Sequence, residues 1–315
     1  MPLSEPYAVN VSSVQDFVYC PFRWVCKWVE NRVPRNEPPA FGFGKLYHKL
    51  FEYFQGEGLS KEDALIKAQS DIGKAALASP HDTMWADMTE YLEQMREPFL
   101  LWQDQYPFDV PVVEVEQPYL LPFPGDESIL IKMRPDRLGI RGGKLWHVQH
   151  KALAAGKGFQ HFVLLAQRSY HEHIYAEGIV RKYPQFVYGG THFDLYRKLK
   201  YRSKPTLKQL TAGQPGSILN PPEKLFWQHP MPVDLTSGLH KHVLHCLHEK
   251  IVQMREVERN YREHGVIPAP NEDRNGGYYG NQPDDFFYVL IGQRTLDDDR
   301  YFKNREDTYA TPESE

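Results

Sequence analysis

Apolar residues recur along this chain with two different periods, and the change between them divides it. From 12 to 30 (SSVQDFVYCPFRWVCKWVE), serines suited to a helix N-cap precede Phe17, Trp24 and Trp28 at roughly helical spacing. Pro21 interrupts that run, so two short helices are expected. After a polar, proline-rich turn, residues 43–55 predict an amphipathic helix with Leu46, Leu50, Phe51 and Phe54 on one face. Two more helices are expected at 60–77 and 82–105, the second stopping before Pro107.

The period then falls to two. Residues 112–121, 128–140 and 144–149 are β-rich and separated by PGDE and RGG turns. A long helix is expected at 159–181, a strand at 186–196 and a long charged helix at 234–264, with an irregular tail from Pro268 onward. Helices, a strand meander, a helix, a strand and a helical tail predict an α/β core with a helical insertion in front of its sheet. The expected division is a helical segment over 1–110, a core over 111–215 and a C-terminal extension over 216–315, forming one compact unit.

Composition narrows the picture. At 41% hydrophobic and 13% aromatic residues, the chain has the apolar content of a folded globule. A net charge of −4 argues against coating nucleic acid by bulk charge, but leaves room for a local basic track. The first residues lack the pattern of a signal peptide and no apolar run reaches bilayer length, so a soluble cytoplasmic protein is expected. Three cysteines, Cys20, Cys26 and Cys246, fit a reduced compartment with free thiols.

The stretch that carries chemistry is Arg134-Pro135-Asp136, followed one strand and turn later by Gln149-His150-Lys151. Phosphodiester hydrolysis needs an activated water, a cation for the oxyanion and a clamp on the leaving group. An Asp at a strand bend and an acidic residue on the next strand can hold Mg²⁺ through hard oxygens. A Lys two positions on shares its face, because strand side chains alternate. The spacing fits a hairpin with both groups at one end of the sheet.

At these residues the chain resembles the PD-(D/E)xK nuclease superfamily, and within it the RecB-like branch that includes phage recombination exonucleases and CRISPR-adaptation nucleases. Ser12 to Phe17 and Tyr19-Cys20-Pro21-Phe22-Arg23-Trp24 look like the opening helix of that branch and its CP-x-R/K-aromatic step. Gly42-Phe43-Gly44-Lys45-Leu46-Tyr47-His48 through Glu52 is similar to its G-x-x-x-H-x-x-x-E motif, where the histidine is an additional metal ligand. Glu116 matches a position where the branch often has glutamate, and Glu114, pointing to the same face, competes for it. Tyr175 matches the tyrosine of a Q-h-x-x-Y motif that positions substrate, with His171 in place of Gln. Gly189-Gly190-Thr191 and Leu195-Tyr196-Arg197-Lys198 resemble the phage-type strand that ends in an arginine–lysine pair.

The resemblance implies a restriction-endonuclease-like core and a Mg²⁺- or Mn²⁺-dependent exonuclease acting on DNA ends or single strands, with a recombination or repair protein as a further partner. It implies Asp136, Gln149 and Lys151 as the catalytic residues. The metal would be held by His48, Asp136, Gln149 and the carbonyl of His150. Substrate would be positioned by Glu116, His171, Tyr175 and a basic run, Arg197, Lys198, Lys200 and Arg202, interleaved with Tyr196 and Tyr201.

Two features depart from that pattern. Gln149 stands where the family usually has Glu or Asp, leaving the site one negative charge short; a catalytically silent DNA-binding or protein-interaction module is therefore the rival reading. Relatives with the Tyr-Cys-Pro step often hold an iron–sulfur cluster with three further cysteines near the C-terminus. Here the matching tail, Asn271 to Tyr279, has none, and three cysteines cannot supply four thiolates, so no such cluster is expected. The run from Leu239 to His248 invites a zinc reading through His242, His245 and Cys246, but structural zinc usually takes four ligands.

Overall fold

The computed structural model describes residues 6–34, 39–78, 84–153, 158–197 and 225–269, with short stretches at 278–279, 282–283, 289, 295–297 and 302–304. The chain opens with a strand absent from the sequence reading, β1 (Tyr7–Asn10). Helix α1 (Val11–Tyr19) is capped by Asn10 rather than by the serines: the Asn10 side chain accepts the Ser13 N–H at 2.8 Å. Pro21 ends this first helix and opens α2 (Pro21–Trp24), as a ring that lacks an N–H can do at a first helical position. A short strand, β2 (Arg32–Pro34), then pairs with Phe302–Asn304. The helical insertion follows as α3 (Pro39–Phe51), α4 (Lys61–Ala78) and α5 (Met84–Leu101).

The meander departs from expectation in an instructive way. The stretch expected as one strand over 112–121 is two, β3 (Val110–Val115) and β4 (Tyr119–Phe123). The stretch over 128–140 is likewise two, β5 (Asp126–Met133) and β6 (Arg137–Arg141). Pro118 and Pro135 lie at the breaks, where the ladder needs donors that proline lacks. Each half goes to a different sheet. Strands β1, β5 and β4 form a three-stranded sheet. Strands β3 and β6 join β7 (Lys144–Leu153), β8 (Val187–Arg197) and β9 (Phe226–Met231) in a five-stranded one, ordered β3-β6-β7-β8-β9.

The β6–β7 hairpin turns at Gly142-Gly143, both at positive φ (58° and 71°), the geometry of a tight two-residue turn open to glycine. That turn sets Arg137 opposite Val148, so Asp136 comes level with Gln149. Between the parallel strands β7 and β8 the single expected helix is two, α6 (Phe159–Ala166) and α7 (Tyr170–Lys182). Ser169 separates them by capping α7, its hydroxyl accepting the His171 N–H at 3.2 Å. The last long helix is α8 (Gly238–His264), ended by Gly265 in the left-handed region.

The five-stranded sheet is covered on both faces. Phe43, Leu46, Tyr47, Leu50 and Phe51 of α3 pack with Leu65, Phe99 and the β8 residue Tyr196 on one side. On the other, Leu138 and Leu145 join Val14, Ile174, Ile179, Leu247 and Ile251 from α1, α7 and α8. This mixed α/β arrangement is consistent with the restriction-endonuclease-like fold. No helix among the described residues is long and apolar enough to cross a membrane.

Candidate active site

The two breaks in the meander lie side by side. Where β3 leaves one sheet for the other, Glu116 takes a positive φ of 51°, unusual for a residue with a Cβ. Its N–H reaches across to the carbonyls of Pro135 and Asp136, at 3.1 and 3.2 Å. The joint at Glu116 and the joint at Asp136 are thus bonded to each other, which brings two carboxylates to one place.

The third member comes from α3. The buried apolar stripe of that helix leaves His48 half-buried at its side, with Nδ1 3.4 Å from Asp136 Oδ2. Among the described residues, His48, Glu116 and Asp136 are the one group of three metal-ligating side chains, with one ligand atom from each lying within 4.8 Å of the others. His48 and Asp136 were expected together at a metal. Glu116, expected beside the substrate, joins them as a potential ligand, and its rival Glu114 is engaged elsewhere, by the hydroxyls of Tyr119 and Tyr183 and by Lys182 at 2.7 Å.

The electrostatics suit a cation. Burial works against the charge of Asp136, but His48, Lys151 and His150 outweigh it and hold its carboxyl well below the usual carboxylate range. Burial, then the charge of Asp136, pushes Glu116 up to about 8, even though Arg134 Nε lies 2.9 Å from its Oε2. Burial lowers His48 to about 4, so its imidazole is neutral at neutral pH and keeps a lone pair to offer. Two carboxylates that resist being ionised together, beside a neutral imidazole, form a donor set that a divalent cation fits.

The β7 residues divide around this group. The His150 N–H donates to Asp136 Oδ2 at 2.8 Å. Lys151 is half-buried, and its positive charge acts on Asp136, Glu116 and His48. Gln149, expected as a ligand, is 1% exposed, and its amide meets His171 Nδ1 at 2.6 Å. The His171 ring stacks on Tyr175, with centroids 4.1 Å apart.

Tyr175 was expected to position substrate. It is buried, its hydroxyl accepting the Arg134 N–H at 3.1 Å and reaching the Arg134 carbonyl at 3.3 Å. It therefore props the turn that carries Asp136. Gly178, one turn along, has the tip of the Met133 side chain where a Cβ would stand, so a larger residue there would have to displace it.

The guanidinium of Arg197 stands 4.2 Å over the Phe159 ring. Lys198, Lys200, Tyr201 and Arg202 lie outside the described residues. Cys20 and Cys26 are buried in an apolar cluster with Phe22 and Phe302. On α8, His248 Nε2 is 2.8 Å from Asp126 Oδ2 and His245 Nε2 is 3.4 Å from Glu249, so these rings do not converge with His242 and Cys246. Sequence reasoning missed Arg134 as the counterion of Glu116. Its place directly before Pro135-Asp136 was the available signal.

No protein of curated function matches the chain. A family model does: that of the PD-(D/E)XK nuclease superfamily, over residues 8–171, which is more than half of the chain. The matched segment runs from β1 to the first turn of α7 and contains His48, Glu116, Asp136, Gln149 and Lys151. Members of that superfamily use divalent metals, the chemistry that the three convergent ligands suit. Together, the match and the geometry point to a metal-dependent nuclease, and the chain belongs to the PD-(D/E)XK nuclease superfamily.

Proposed function

We propose that this chain is a deoxyribonuclease that uses Mg²⁺ or Mn²⁺ and works from DNA ends. The observation that carries the reading is the convergence of His48, Glu116 and Asp136 beneath the charge of Lys151. His48, Glu116 and Asp136 would hold the cation, with the carbonyl of His150 as a further ligand. When bound, that cation would lower the pKa of a water and stabilise negative charge on the phosphoryl oxygens. Lys151 orients the attacking water and offsets the charge that develops on the phosphate. Gln149, level with Asp136 and held by His171, lends an amide beside the reacting atoms. Arg197 and the basic run after it would guide the strand. The preference for ends follows the resemblance to recombination exonucleases, which also suggests a recombination or repair protein as partner and a role in phage recombination, repair or defence.

A silent DNA-binding module is favoured by one feature, the missing carboxylate at Gln149. The test is incubation of the full chain with linear and circular, single- and double-stranded DNA in Mg²⁺ and in Mn²⁺. Degradation of linear but not circular DNA is expected, and stronger in Mn²⁺. Binding without cleavage under every condition would replace the nuclease reading with the module.

A further inference from the structure

Behind the three ligands, on the α3 face of the central sheet, lies a carboxylate that the chemistry above does not use. Asp194, on β8, is 1% exposed and stands next to His150 in the parallel register. Its two oxygens are divided between two partners. Oδ1 accepts the indole N–H of Trp102 at 3.2 Å, and Oδ2 lies 3.1 Å from His150 Nδ1. An ionised carboxylate can only accept, so the His150 nitrogen facing it must carry the hydrogen. That fixes both the tautomer and the plane of the ring, which lies on Phe51 with centroids 4.2 Å apart and 22° between planes.

The other side of His150 is at the metal-ligating group. Its main-chain N–H holds Asp136 Oδ2 at 2.8 Å, and its ring meets that of His48 edge-on at 6.5 Å. One residue thus touches two of the three ligands, and Asp194 sets its orientation. Stability alone does not explain the carboxylate, because apolar groups of the same shape often fill such a place as well or better. What an apolar residue cannot do is fix which way an imidazole faces.

We propose that Asp194 is a positioning residue for the metal centre, holding His48 and Asp136 at ligand distance through His150 without touching metal or substrate. The inference rests on the nuclease reading. The experiment is Mn²⁺ affinity by electron paramagnetic resonance on the full chain without DNA, for the parent and four variants. Asp194→Asn leaves one oxygen for two donors and should weaken Mn²⁺ by about 10- to 100-fold, as is usual when the support of a ligand is removed. Trp102→Phe removes the other donor only and should stay within about threefold of the parent, whatever it does to the melting temperature.

A second pair stands in if Asp194→Asn does not fold. In His150→Asn the amide nitrogen takes the place of Nδ1, so that variant should keep most of the affinity that His150→Leu loses. Parental affinity in Asp194→Asn, an equal loss in Trp102→Phe, or equal losses in the two His150 variants would overturn the role of Asp194 and leave the nuclease reading standing. A parent chain that binds no Mn²⁺ would overturn both.

Discussion

Two histidines of β7, three residues apart and on opposite faces, are treated in opposite ways. On the α3 face, His150 is closed in, its ring bonded to Asp194 and laid on Phe51. On the α7 face, His147 is fully buried, yet neither of its ring nitrogens has a hydrogen-bond partner among the described residues. Burial lowers it to about 4, so the ring is neutral. Gln149 and Lys151 share that face by strand alternation. Each buried polar group left unpaired costs about 1–3 kcal/mol, a cost that cores avoid and functional sites accept. The contrast is between two imidazoles: His150 is fixed by its partners, whereas His147 lies unpaired on the face that Gln149 and Lys151 share.

The hardest test of that division is to change the α7 face and watch chemistry rather than stability. Lys151→Ala should cut DNA cleavage by about 10²- to 10³-fold, since the developing oxyanion loses its cationic partner, while the melting temperature stays near the parent's because the side chain is only half-buried. Gln149→Glu restores the missing charge and should raise cleavage markedly, with half-saturation at lower metal concentration. Steady-state cleavage of linear DNA against metal concentration reads both. If Gln149→Glu is no more active than the parent and neither cuts any nucleic acid tested, the binding module replaces the enzyme.

How much of this was legible in the sequence depended on whether a residue announces itself locally. His48 and Asp136 did, one by its spacing on an amphipathic helix and the other by the proline before it. Glu116 did not, because its place depends on a positive φ and on a strand leaving one sheet for another, and an apolar run does not say which sheet it joins. For the same reason β3–β4 and β5–β6 read as two strands instead of four. The break between α6 and α7 was hidden because Gln167-Arg168-Ser169 carries neither Gly nor Pro. Asp194 was invisible because its significance is a partner 44 residues away.

A smaller effect separates the metal-ligating group from both faces, and it appears in the metal-free protein. Glu116 is raised to about 8 from an ordinary 4.5, so across that window the unfolded chain has lost a proton that the folded chain keeps. Stability from this group is present at low pH and is lost as pH rises. His48 acts with the opposite sign: lowered to about 4 from 6.5, it adds stability as pH rises through that range. The two oppose each other up to about 6.5, and from there to about 8 Glu116 acts alone. Thermal unfolding with a chelator should show stability falling there by at most about 1.4 kcal/mol per pH unit. The slope should be absent in Glu116→Gln and in the parent with saturating Mn²⁺, which holds the carboxylate ionised. A parent that is flat without metal would mean that Glu116 is not held protonated in the folded chain.

The finest test concerns His147 alone. Its ring stacks on Tyr175, with centroids 5.1 Å apart and 21° between planes, and phenylalanine can keep that contact. Phenylalanine also deletes two buried nitrogens that have no hydrogen-bond partner among the described residues. Against this gain stands the larger ring in a packed interior, where overfilling costs about 1–3 kcal/mol. The balance favours the variant by about 1 kcal/mol, because two unpaired groups are removed and one ring is enlarged only slightly. His147→Phe should therefore raise the melting temperature by a few degrees, with the largest change in a metal-free, DNA-free sample. A loss larger than the about 3 kcal/mol that overfilling can account for would mean that the His147 nitrogens are bonded in solution. His147 would then be as closed in as His150, and the contrast between them would fall.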